Sequence, residues 1–171
     1  PSGIIPLRNA HLLLGAAQYD ETILIGSLHG EINSDKSRIF YDQMEQVLTT
    51  SWRGQYWNDG KSKVFHILTP LSNMTKTEAI ALYLQQEGDP TWLDLTVSCY
   101  SNMQGHCGQC PSCFKRWVAY VNNGLQFISI TDPLQYSQLS NIISKCKNGI
   151  YSQRRADEIL LALRKVEYVS S

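Results

Sequence analysis

Thr22-Ile23-Leu24-Ile25-Gly26-Ser27 is short, apolar and bounded by polar loops, which reads as a buried β-strand. Upstream, residues 8–20 carry Leu12, Leu13, Leu14, Ala16, Ala17 and Tyr19 and read as a mostly buried helix. Downstream, a polar loop runs through Ser37. Residues 38–52 then place Ile39, Phe40, Met44, Val47 and Leu48 close to helical spacing. Residues 53–62 are rich in Gly, Asn and Asp and read as loop, and Lys63-Val-Phe-His-Ile-Leu-Thr69 reads as a second strand. Strand, helix and strand in that order imply a parallel α/β sheet. Two or three strands are too few for one, because an unpaired strand edge is an adhesive surface. The sheet is therefore expected to be partial, completed by chain preceding Pro1 or by a partner.

The remainder reads as mainly helical. Thr75-Lys-Thr-Glu78 has the capping-box pattern, with a helix continuing through Leu84 and ending at Gly88 and Pro90. Residues 95–98 read as a strand. A helix is expected from about Ser112 to Gly124, and two more over 134–147 and 153–166. No internal repeat or low-complexity stretch is visible.

The 171 residues are 43% hydrophobic and 18% charged, which suits one globular domain able to bury a core. Fifteen basic residues balance fifteen acidic ones, which argues against a dedicated nucleic-acid binder. No apolar run approaches the roughly 18 residues of a membrane span, and no basic segment leads into an apolar signal region. The cysteine usage fits a reducing cytoplasm. The chain begins at Pro1 without Met, which fits both removal of an initiator Met and a fragment.

Four of the five cysteines lie in Cys99-Tyr-Ser-Asn-Met-Gln-Gly-His-Cys107-Gly-Gln-Cys110-Pro-Ser-Cys113. Four thiolates so spaced suit a tetrahedral Zn²⁺, and four protein ligands leave no open position, so the zinc would be structural. Gly108 permits a tight turn between Cys107 and Cys110, and Pro111 stiffens the next one. An iron–sulfur cluster and a disulfide framework are the alternatives. The first normally takes a fourth ligand at C-x3-C-P, where this chain has Trp117; the second needs an oxidising compartment. His106 adjoins a full set of ligands and is not expected to be one. Cys146 reads as an ordinary buried thiol.

Other segments carry weaker signals. Gly54-Gln-Tyr-Trp-Asn-Asp-Gly60-Lys61-Ser62 resembles a phosphate loop but has five residues between its glycines instead of four. It also follows a helix and precedes a strand, the reverse of what that motif needs. Arg8 and Asn9 precede the first helix, where they could meet an anionic or purine-like ligand. Taken alone they read better as a surface charge and a helix cap. Asp35, with Glu31 and Asn33 nearby, follows the first strand, and Lys76 follows the second. In parallel α/β folds ligands bind at the carboxyl ends of strands. Lys76 is mildly unfavourable at a helix start, a weak hint of a functional role.

Together these pieces resemble the 7-cyano-7-deazaguanine synthase, QueC-like, family. The resemblance rests on Pro6-x-Arg8-Asn9, the following G-x-x-x-G loop with its Asp, Pro70-Leu71-x-x-x-x-Lys76-x-Glu78, and Ser98-Cys99-Tyr100 leading to Cys107-Gly-x-Cys110-x-x-Cys113-x-x-Arg116. It covers about Ile5 to Gly124. It implies a PP-loop ATP pyrophosphatase fold, zinc on Cys99, Cys107, Cys110 and Cys113, and conversion of 7-carboxy-7-deazaguanine to the nitrile with ATP, Mg²⁺ and ammonia. By the same resemblance Arg8 and Asn9 would line a nucleotide or substrate pocket, and Asp35 and Lys76 would hold substrate, Mg²⁺ or phosphate. The domain so defined is 1–124, followed by a helical extension over 125–171.

One departure matters. The family's S-G-G-x-D-S loop, which cradles the ATP pyrophosphate, is absent from this sequence, and Pro1-Ser2-Gly3 does not replace it. The expected function is thus the carboxyl-terminal part of a QueC-like ligase that needs an upstream or separate ATP-loop segment, and whether the chain alone is an enzyme is left open. The alternatives are a non-enzymatic zinc-stabilised module that binds a nucleotide, a deazapurine or a protein partner, and a QueC-like protein that modifies DNA or a protein terminus. Self-association is a further expectation.

Overall fold

The computed structural model describes residues 5–29, 34–101 and 104–168, so the expectations for Gly30, Glu31 and Asn33 lie outside the described residues. The chain separates into two compact units, one ending at Thr75 and one starting at Lys76.

The first unit contains α1 (Arg8–Ala16), β1 (Thr22–Leu24), α2 (Arg38–Ser51) and β2 (His66–Leu68). The strands are parallel, with Ile23 opposite Ile67. The α/β class and the parallel pairing agree with the sequence, but the strands are shorter than expected and alternate in burial. Ile23, Phe65 and Ile67 face a core with Leu13, Ala17, Tyr41 and Leu48. On the opposite face Leu24 is 68% exposed and Leu68 47%. A single helical layer covers the sheet, so β1 is buried on one face only, not on both. The first helix ends at Ala16, short of the expected residue 20, and is likewise half exposed: Leu12 and Leu14 face outward.

The two sheet edges differ. The outer edge of β2 is closed by side chains of α2. The Phe65 amide donates to Thr49 Oγ1 (3.0 Å), the Ile67 amide donates to Glu45 Oε1 (2.6 Å), and Arg38 Nη1 donates to the Ile67 carbonyl (2.9 Å). Arg38 also pairs with Asp42 and Glu45, which keeps the clamp in register. Side chains thus satisfy the backbone groups that would otherwise template another strand. Along the outer edge of β1, among the described residues, the strand amide that meets a side chain is that of Thr22, bound by Asp20 at its start.

The second unit contains α3 (Lys76–Gln85), α4 (Pro90–Asp94), α5 (Pro111–Asn122), α6 (Leu139–Lys147) and α7 (Gln153–Lys165). Residues 95–98, read from sequence as a strand, are not one; their backbone is held by a side chain, as described below. The helix α4 was not expected, although its signal is present: Asp89 accepts from the Thr91 amide at 2.9 Å and Pro90 occupies the first helical position. At the end of α3 the left-handed residue is Glu87 (φ 59°), not Gly88; a side chain at Gly88 would strike the Tyr83 ring.

The residues beyond 124 are built into the core. Phe114, Trp117 and Val118 of α5 pack with Leu139 and Cys146 of α6, Ala156, Ile159, Ala162 and Leu163 of α7, and Tyr136. Cys146 is buried there, as its sequence context suggested. Leu163 is fully buried, so Leu163→Ala should destabilise this unit by about 2–4 kcal/mol, against less than about 1 kcal/mol for Leu161→Ala on the open side of α7. Urea unfolding followed by Trp117 fluorescence measures both; equal effects would contradict the packing.

Candidate metal centre

The cysteine segment is shaped locally before any ion is considered. Gly105 (φ 89°) and Gly108 (φ 77°) adopt the left-handed conformation on either side of Cys107. Cys110 is the N-cap of α5, its sulfur accepting from the Cys113 amide at 3.4 Å, and Pro111 begins the helix. Cys113 therefore lies in the first helical turn. The amides of Ser101 and Gln109 donate to the sulfurs of Cys99 and Cys107 at 3.4 and 3.3 Å.

The four sulfurs of Cys99, Cys107, Cys110 and Cys113 all lie within 4.8 Å of one another. Cys107 and Cys113 are 3.9 Å apart, and all five cysteines are free thiols. A tetrahedron with metal–sulfur bonds of about 2.3 Å has edges of about 3.8 Å. A disulfide would need about 2.05 Å. The spacing thus fits one tetrahedral ion after slight contraction, and the donor set is the soft one that zinc accepts. Burial pushes the thiols of Cys107 and Cys113 up. At Cys99 burial also acts upward, but hydrogen bonds from Ser101 and Cys107 outweigh it and bring the thiol down to about 6. His106 is outside the cluster, its ring 5.2 Å from that of Phe127.

Cys99 lies eight residues before Cys107 and on no regular element, so something must bring it to the helix. Arg116 does this. Its side chain is nearly fully buried (3% exposed) and donates to the carbonyls of Thr96 (2.8 Å) and Leu93, to the hydroxyls of Thr96 (2.7 Å) and Ser98 (3.3 Å), and to Tyr120 Oη. Those acceptors span the residues leading directly into Cys99, while Arg116 itself follows Cys113 on the same face of α5. Every one of these acceptors is uncharged. Tyr120 Oη in turn donates to Asp94 Oδ1 at 3.4 Å, which places a carboxylate one hydrogen bond away from the guanidinium.

The other candidates divide between the units. In the first, Asn9 is buried and its Nδ2 donates to the Asp35 carbonyl at 3.1 Å, while Arg8 Nε donates to Asn9 Oδ1 at 3.2 Å. Arg8, Asn9 and Asp35 are therefore brought together. Asn9 does not cap α1; the N-cap is Leu7, left-handed at φ 59°. Lys76 begins α3 in the second unit. The Gly54–Ser62 loop is a closed turn, with the Gly54 amide on Ser62 Oγ and no helix following it, so the phosphate-loop reading is excluded.

Arg116→Met should remove the side-chain donors to the Thr96 carbonyl and to the hydroxyls of Thr96, Ser98 and Tyr120, while the Leu93 carbonyl keeps its bonds from Thr96, and cost on the order of 3 kcal/mol, with Arg116→Lys intermediate because an ammonium cannot fork. Urea unfolding with and without added zinc reads this, and wild-type stability in the Met variant would contradict the anchoring role.

Comparison with known proteins agrees with this geometry. The family model described as Queuosine biosynthesis protein QueC matches residues 1–124, which include all four cysteines and Arg116. A 7-cyano-7-deazaguanine synthase of Chlorobaculum parvum is 28% identical over 143 residues, covering 80% of this chain and 56% of the relative. One from Acidobacterium capsulatum is 30% identical over 80% of this chain and 56% of its own length, and one from Sulfolobus acidocaldarius 29% over 77% of this chain and 27% of its own. The chain thus spans about half or less of the length of these relatives. No solved structure matches significantly. With its four-cysteine cluster inside the matched region, the chain belongs to the QueC family.

Proposed function

We propose that this chain is the zinc-bearing, carboxyl-terminal portion of an ATP-dependent ligase that converts 7-carboxy-7-deazaguanine to 7-cyano-7-deazaguanine with ammonia, on the way to queuosine or a related deazapurine. The observation that carries the reading is the four-thiol cluster inside the family-matched residues. Cys99, Cys107, Cys110 and Cys113 would hold one Zn²⁺ with no position left for substrate, so the ion would fix the loop and take no part in the chemistry. A carboxylate is a poor electrophile. Adenylation gives it a leaving group, ammonia displaces that group to form an amide, and a second activation allows loss of water.

In this reading Arg8 meets phosphate or the substrate carboxylate, Asn9 lines the same pocket and Asp35 takes Mg²⁺ or a purine-like N–H, while Lys76, at the start of α3 in the second unit, is by itself a candidate phosphate ligand. Support comes from the Arg8–Asn9–Asp35 connection, which holds the start of α1 against the turn after β1. The ATP-binding S-G-G-x-D-S segment is supplied from elsewhere, on the same or another polypeptide. The open outer edge of β1 is where its strand would pair, since the edge of β2 is closed by Thr49, Glu45 and Arg38. A thiol-rich zinc loop suits a reducing compartment, hence the cytoplasm. No helix among the described residues is long and apolar enough to cross a membrane.

The second reading is a zinc-stabilised binding module for a nucleotide, a deazapurine or a protein partner. Three results decide. Metal analysis should give one zinc per chain, lost in Cys110→Ser; iron, or unchanged metal in the variant, contradicts the site. Zinc removal should lower the Tm by upwards of about 10 °C, because structural zinc contributes on the order of 10 kcal/mol of binding energy. The chain alone should turn over no ATP and should associate with itself or a partner by light scattering. Adding a polypeptide with the S-G-G-x-D-S loop should restore ATP-dependent nitrile formation; failure there, with zinc intact, favours the module.

A further inference from the structure

Residues 126–131 follow the family-matched region and lie against the metal-binding turn. The Ile130 amide donates to the His106 carbonyl at 2.8 Å, and the Thr131 amide donates to the Cys107 carbonyl at 3.2 Å. Ser129 Oγ donates to the Thr131 carbonyl at 2.8 Å. A Cβ at Gly108 would lie 1.8 Å from that same carbonyl oxygen and 3.2 Å from Ser129 Oγ. Gly108 is therefore required twice, by its left-handed φ and by the backbone that fills the place of a side chain. Gly105 has an equally left-handed φ of 89° but open space where its Cβ would be. The His106 ring also packs on Phe127.

The geometry points to residues 127–131 as a positioning clamp for the metal-binding turn, so that seating of this segment and assembly of the thiol cluster are thermodynamically linked. The clamp grips the carbonyl of one thiol-bearing residue, Cys107, and closes over Gly108, the residue between it and the turn into α5. Phe127, at the head of the same segment, contacts Tyr120 of α5 as well as His106. The segment thereby joins the loop half of the cluster (Cys107) to the helix half (Cys110 and Cys113). Linkage is reciprocal: whatever loosens the clamp must weaken the metal site by the same factor, and removing the metal must loosen the clamp. This second half rests on the zinc reading above; the docking itself does not.

The test is hydrogen exchange of the Ile130 and Thr131 amides in the intact chain. Gly108→Ala should reduce their protection about tenfold or more, whereas Gly105→Ala, which adds a comparable left-handed strain without the collision, should change it less than about threefold. Equal behaviour of the two variants overturns the clamp. In zinc-loaded wild type, stripping the metal with a chelator should lower the same protection, and Thr131→Pro, which removes one donor without altering a cysteine, should raise the zinc dissociation constant, read by equilibrium competition with a colorimetric chelator, by about tenfold. Zinc that leaves with no change at Ile130 and Thr131, or that Thr131→Pro binds with unchanged affinity, overturns the linkage. A chain that takes up no zinc overturns the metal reading and the linkage to it, while the two glycine variants still decide the docking.

Discussion

Bringing Cys99 to the first turn of α5 is the constraint on which the second unit depends. Three of the four cysteines are local: a glycine turn and a helix N-cap deliver Cys107, Cys110 and Cys113 to one point. The fourth arrives on an irregular, largely exposed segment (Leu95 is 79% and Val97 80% exposed), so hydrogen bonds and not apolar burial must hold it to the helix. The forked guanidinium of Arg116 does this for Leu93 and Thr96 at once, and takes the Ser98 hydroxyl as well. A lysine has neither the reach in two directions nor the planar donors. The buried cation would be costly without a nearby negative charge, and Asp94, reached through Tyr120 Oη, supplies one.

The same helix explains why the tail is part of the domain that carries the cysteines. One face of α5 holds Arg116 and Cys113; the other presents Phe114, Trp117 and Val118 to α6 and α7. Fixing α5 by an apolar core on one side lets the polar side be held to hydrogen-bonding tolerance. In the sheet unit the corresponding economy is seen at β2, where Arg38, Glu45 and Thr49 replace a neighbouring strand. The face bearing Leu24 and Leu68 is left uncovered, which accords with a chain that spans about half the length of its Chlorobaculum relative.

Much of this was legible in the sequence because the signals are local. The run from Cys99 to Cys113 declares its own chemistry through residue type and spacing, the helix over residues 38–51 follows its periodicity, and the helix over 76–85 begins within the Thr75–Glu78 pattern. What failed was tertiary. Thr22–Ser27 read as a buried strand because its apolar residues are contiguous, yet the strand ends at Leu24 and only Ile23 of it is buried, since burial is decided by how many layers lie over it. Residues 95–98 have strand-like composition but are bound by a side chain from a distant helix, which no local pattern reveals. Asn9 has the identity of a cap and the function of a tether to Asp35, because Leu7 takes the left-handed position before the helix. The helix at Asp89-Pro90 could have been found from its cap alone. The docking of Thr131 on Cys107 is backbone to backbone and leaves no mark except the glycine at 108.

The central claim is that four thiolates of one chain enclose a single structural zinc. Zinc K-edge X-ray absorption on the purified chain tests it most directly. The account predicts a single shell of four sulfurs at about 2.3 Å. A shell containing nitrogen or oxygen donors, or a metal other than zinc in that sulfur shell, would contradict it.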